Sequence, residues 1–223
     1  MKKISLMIMF LIGSYGCKNK LNKTIETPKD NVEKQSFEHV KDTLNTKVDN
    51  NYIEVITWIN DFKNFRQAVY TKDKAKLKSY FRFPIAGDNS SIWSLLSFND
   101  VETAKRRAKY VNPDLFYEED LDEFSHIIFN ADFVKAIMKI KTAQLFAKHH
   151  VETPQFITNG QHYQMIADYY YEEQTALYLN MSYGNNALDD NGEKISEGEY
   201  NVIYIFDVLD GKTIYFKKIE LAG

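Results

Sequence analysis

A chain of 223 residues with 44% hydrophobic and 14% aromatic residues can bury one sizeable core, and its length suits a single domain plus a tail. Its formal net charge is −3, so it has no basic footprint for nucleic acid.

The first predicted element is a cleavable signal. Lys2 and Lys3 form a positive head, and Ile4 to Ile12 is apolar except for Ser5. That run is too short to span a bilayer. Gly13, Ser14, Tyr15 and Gly16 lead to Cys17, the only cysteine. The layout resembles the lipobox of bacterial lipoproteins, with Ser14 where Leu is usual and Tyr15 where Ala or Ser is usual. The resemblance implies that residues 1–16 are removed and that Cys17 carries a lipid. Acylation would leave no thiol for a disulfide, a metal site or a nucleophile. The 28 Lys and Arg, less Lys2 and Lys3, leave 26 against 31 acids, a net of −5 for the mature chain.

Residues 17–50 read as a disordered tether, because they hold too little apolar surface to offset the loss of chain entropy. Residues 32–44 could form a marginal helix, and Asp42-Thr43-Leu44 fits a short acceptor pattern for O-glycosylation. A single domain is expected over 51–223. A stripe through Ile53, Ile56, Ile59, Phe62 and Val69 predicts a helix to about residue 71. Asp73 can cap a second helix, Lys74 to Phe81, which Phe83-Pro84-Ile85 must leave. Ile92 to Phe98 is a short helix or strand. Asn99 or Asp100 can start a helix through about Tyr110. Asp114 to Ser125 carries six acids and no base, and Leu121, Phe124, Ile127 and Ile128 give it a helical stripe. One further helix is expected from Asp132 to about His149.

After Pro154 the period changes from 3.6 to 2. Tyr163 to Tyr171, Thr175 to Tyr183, Tyr200 to Leu209 and Thr213 to Leu221 read as four antiparallel strands. Asp210-Gly211 forms a hairpin turn between the last two. The expected class is α+β, with N-terminal helices packed on a curved antiparallel sheet of four or more strands built mainly by the C-terminal third. The last ribbon has apolar residues on both faces and is expected to be covered on both sides.

Phe65-Arg66-Gln67-Ala68-Val69, Asp73 to Leu77 and Tyr80 to Ile85, with the ending Ile203-Tyr204, Asp210-Gly211-Lys212 and Phe216 to Gly223, are similar to uncharacterised Gram-negative envelope lipoproteins. The element order resembles the nuclear-transport-factor-2-like cone fold. That resemblance implies a sheet wrapped around helices and a cavity.

The candidate residues are few. His149, His150 and Glu152 read as a solvated helix end rather than metal ligands, since adjacent helical side chains diverge. His126 reads as a partly buried, hydrogen-bonded residue beside the apolar stripe. His162, Asp168, Tyr178 and Tyr204 are the set from which a cone-fold enzyme could draw an Asp or His base and Tyr donors. Strand tyrosines more often bury a ring and wet a hydroxyl. The acidic run 114–123 is a solvated face or a docking patch for a basic partner, and Asp189 to Glu193 is a polar turn with the wrong spacing for calcium. No phosphate-binding glycine loop, zinc spacing or nucleophile elbow occurs, so neither a cofactor nor a metal is expected. The expected role is a non-catalytic binding or protein-interaction module, lipid-anchored in the bacterial envelope at the outer membrane. Its expected partners are the membrane, through Cys17, and a protein or a small apolar ligand. A ligand carrier with an apolar cavity and a cone-fold enzyme are the alternatives.

Overall fold

The computed structural model describes residues 52–86, 90–158, 160–171, 175–185, 187–188, 190–193 and 198–223. The expected signal, Cys17, the expected tether with Thr43, and Asp189 lie outside the described residues.

The first helix, α1 (Trp58–Thr71), starts later than its apolar stripe suggests. The Asn60 side chain accepts from the Thr57 backbone amide at 3.1 Å and fixes the start there. Ile53 and Ile56 lie outside the helix and are exposed. The backbone of Ile53 is held instead by the buried Asn64 side chain, which accepts from its amide at 2.9 Å and donates to its carbonyl at 2.8 Å. Asp73 caps α2 (Lys74–Lys78) by accepting from the Lys76 amide. This helix is one turn shorter than expected. The chain then leaves through a cis Phe83–Pro84 bond to a bridge between Ile85 and Phe116.

Three helices follow: α3 (Ile92–Leu96), α4 (Asp100–Lys109) and α5 (Glu118–Ile128). Asn99 caps α4, and Glu102 reaches back to the Asn99 amide at 2.9 Å. The single helix expected over 132–149 is two, α6 (Ala131–Ile137) and α7 (Thr142–Lys148). The Arg66 guanidinium donates to the carbonyls of Met138 at 2.8 Å and Ile140 at 3.1 Å. Those buried carbonyls are satisfied outside a helical ladder, so the break carries no orphaned acceptors.

Six antiparallel strands are described: β1 (His150–Glu152), β2 (Phe156–Thr158), β3 (Gln161–Tyr170), β4 (Ala176–Gly184), β5 (Tyr200–Leu209) and β6 (Thr213–Ala222). The order is β1-β3-β4-β5-β6, with β2 also on β3. β1 and β2 add to the four strands expected. The fold is α+β, with its helices mostly N-terminal and its strands mostly C-terminal.

Inner-face residues of β3 to β6 join the helices in one core. Phe206 and Phe65 meet at 4.9 Å, and Phe133 and Tyr204 at 4.4 Å. Each such ring contributes about 1.5–3 kcal/mol by leaving water. The ribbon β5–β6 is buried on this face, whereas Ile203 on the other is only half-buried; the expected double cover holds only at Ile205. A register shift between Ile205 and Phe206 accounts for that exception.

The edge strand β6 does not present open backbone. Its Ile214 amide donates to Asp61 at 2.9 Å, its Phe216 amide to the Tyr80 carbonyl at 2.8 Å, and its Ile219 carbonyl accepts from Ser91 at 2.7 Å. These contacts close an edge that could otherwise pair with another chain. At the turn, Asp210 and Gly211 both have positive φ, 52° and 63°. Glycine takes that conformation without steric cost. The Gly211 carbonyl accepts from the Trp58 amide at 2.9 Å, so the turn closes the N-terminus of α1.

Candidate functional site

The four residues suggested for catalysis do not share a site. Tyr204 points into the core, 2% exposed, and its hydroxyl donates to the Ile128 carbonyl at 2.6 Å. Burial pushes its pKa well above the usual phenol range. His162 and Asp168 stand on one strand six residues apart, on the order of 20 Å at ~3.3 Å per residue. The His162 ring packs over Gly184, where a Cβ would lie 2.5 Å from Nε2. Asp168 and Tyr178 are direct cross-strand partners. The other partner of Asp168 is His150, whose Nδ1 lies 2.7 Å from the carboxylate.

His149 and His150 therefore do not end a solvated helix together. His149 is the left-handed C-cap of α7, and His150 begins β1. The hydrogen bond from Asp168 raises the His150 pKa, with Glu152 at 3.6 Å assisting. The ring is half exposed, so this is a surface ion pair of small energetic weight. His126 is exposed, with Nδ1 3.1 Å from the Glu123 carbonyl. Among the described residues no group of three or more His, Cys, Asp or Glu could hold a metal ion.

The acidic run is partly paired within the chain. Asp120 is buried and pairs with Arg106, whose Nη2 lies 2.8 Å from Oδ2. The same guanidinium donates to the carbonyls of Pro113 and Leu115 and lies 3.9 Å from the Trp93 ring centre. Lys78 bridges Glu118 at 2.9 Å and Asp122 at 2.7 Å. Three of the six acids are thus paired, and the run ties α2, α4 and α5 together rather than offering a continuous acidic patch.

A second polar cluster has no counterpart in the sequence reading. Tyr163, Tyr183 and Tyr200 are successive neighbours across β3, β4 and β5. Their rings lie 5.8 Å and 4.6 Å apart. Burial, then the Asp132 charge, pushes the Tyr163 hydroxyl up to about 12, and burial raises the Tyr183 hydroxyl as well. Three hydroxyls facing one carboxylate resemble an acid–base site on paper. Here Tyr163 and Tyr183 are buried, so the rings pack at the end of the sheet beside α6 rather than opening a site.

The open site lies among the helices. A groove of about 630 Å³ runs between the end of α1, α2, the second half of α5, and α6. Val69, Leu77, Phe129, Ala131 and Val134 give it apolar walls, and Lys72, Lys74 and Lys135 stand around it with Asp122, Glu123 and His126. Its size falls within the ~300–1,000 Å³ of drug-sized ligand sites. It is not the interior of a cone, which here is filled by Phe62, Phe65, Phe133, Tyr204 and Phe206. Nothing in the period of any one segment marks it, because its lining is divided among four helices and the turns that follow them. The tyrosine row was visible only once strand register was known.

No protein-family model, curated protein or solved structure matches this chain. No helix among the described residues is long and apolar enough to cross a membrane.

Proposed function

We propose that this chain is a lipid-anchored protein of the bacterial envelope, at the outer membrane, whose α+β unit is a non-catalytic binding module. In this reading Cys17 carries the lipid and the module is a relative of the nuclear-transport-factor-2-like lipoproteins. The observation that carries the binding role is the groove of about 630 Å³ with apolar walls and charged margins. Among its lining residues the acids and the one histidine form no base–orienter pair aimed inward: Asp122 is bonded to Lys78, and the His126 ring meets a backbone carbonyl.

Two measurements test it. An alkyne fatty acid fed to cells should label the wild type and not Cys17→Ser; equal labelling sinks the anchor. For the groove, a chemically mixed set of small compounds would be titrated into the ¹⁵N-labelled mature chain. Ligands should shift Val69, Leu77, Phe129 and Val134 together, and Val134→Trp should abolish those shifts. If no compound moves this set, the groove is not a binding site.

A further inference from the structure

We infer that the groove takes a single-chain anionic amphiphile, a free long-chain fatty acid, with its chain along the apolar walls and its carboxylate among the lysines. This rests on the reading of the groove as the binding site. Two features point to that class.

The first is the separation of character within the groove. Val69 and Leu77 are buried, and Phe129 lies with Ala131 and Val134 where α5 meets α6. These five side chains form a continuous apolar wall, with Ser125 the one hydroxyl on the lining, which suits an acyl chain better than a sugar or a nucleotide.

The second is the balance of charge. Lys72, Lys74 and Lys135 are exposed at the groove. Lys74 gives one donor to the Asp122 carbonyl at 2.8 Å and keeps two more. Lys135 lies 4.7 Å from the Phe156 ring centre, which accepts the ammonium without cancelling its charge. On the acidic side, Asp122 is bonded to Lys78 at 2.7 Å, leaving Glu123 outnumbered by three lysines. An anionic head group therefore finds complementary charge, and a cationic one does not.

The test uses the 17–223 chain carrying Cys17→Ser, so that no covalent acyl chain competes. Cis-parinaric acid, a fluorescent fatty acid, is titrated below its micellar concentration and displaced by hexadecanoate or by hexadecanol. Hexadecanoate should displace at least tenfold better than hexadecanol. Lys74→Glu with Lys135→Glu should weaken cis-parinaric acid at least tenfold; both lysines are exposed, so the fold stays intact, and a thermal melt checks this. Val134→Trp should abolish binding of either probe.

Equal displacement by the alcohol, or an unchanged affinity in the double lysine variant, overturns the fatty-acid assignment while leaving the groove as a site. Binding to phosphatidylglycerol vesicles but not to the monomeric acid also overturns it. The groove reading itself fails if Val134→Trp leaves every compound's binding as in the wild type.

Discussion

The inner face of the sheet and the helical groove are both lined by apolar side chains, yet one is closed and the other is open. On the inner face Phe206 meets Phe65 at 4.9 Å and Phe216 at 5.7 Å, and Phe81 stacks on Phe216 at 4.6 Å. Long strands bring these residues into register and the buried α1 lies against them. At the groove the walls come from α2, of five residues, from α6, of seven, and from the ends of α1 and α5. Helices of one or two turns offer too few side chains to interdigitate along their length. The unfilled space falls where two short helices meet the flanks of two longer ones.

That contrast is sharpest in mutational cost. Phe206→Ala should destabilise the unit by about 3–5 kcal/mol in urea melts, as large-to-small core changes do. Lys135→Glu, at the groove, should stay within about 0.5 kcal/mol of wild type. If both variants melt alike, the two regions are not energetically distinct.

The next effect concerns the closed edge. Asp61 is 3% exposed and accepts from the Ile214 amide at 2.9 Å and the Tyr80 hydroxyl at 3.1 Å. Asp61→Ala strands both donors, each at roughly 1–3 kcal/mol, and should cost about 2–4 kcal/mol. Burial raises the Asp61 pKa above 3.8, an effect its hydrogen bonds offset only in part. Its contribution is therefore full below pH 3.8 and falls as pH rises through the folded value. The stability margin of wild type over Asp61→Asn should accordingly shrink as the pH is raised from that side. A margin that grows instead would mean that the carboxylate is better solvated than its surroundings indicate.

The smallest effect lies on the open outer face. His150 should titrate above 6.5 by NMR, and Asp168→Asn should bring it back down, because Asp168 is the main cause of the shift. The stability it adds is complete below 6.5 and is lost as pH rises through the folded value. Its exposure keeps that term small. A midpoint at or below 6.5 would show that the ring is not held.

The legible parts of the sequence were those set by local period and turn chemistry. The caps at Asp73 and Asn99, the four long strands and the Asp210-Gly211 turn all follow from residues within a few positions of one another. Where distant partners decide, the local signal misleads. Ile53 and Ile56 share the phase of α1, but Asn64 holds that backbone extended. Residues 132–149 read as one helix, but Arg66, some 70 residues earlier, takes the carbonyls at the break. The candidate site divides in the same way. Asp168 was read as a candidate base alongside His162, but the histidine it meets is His150 across the sheet and not His162 along the strand. Arg106, Asp132 and the groove went unnoticed because each depends on three or more segments meeting.

The hydrogen bonds from Trp58 to Gly211 and from Ile214 to Asp61 join residues about 153 positions apart. They set an order of events during synthesis. The first helix is made early, but its Trp58 amide lacks Gly211, and its Asp61 carboxylate lacks the Ile214 amide, until the final ribbon has left the ribosome. Sequence-distant closure of this kind slows folding and holds it until the chain is nearly complete. A nascent chain that ends before Thr213 would leave the Asp61 carboxylate without the Ile214 amide, and α1 without the strand it packs on.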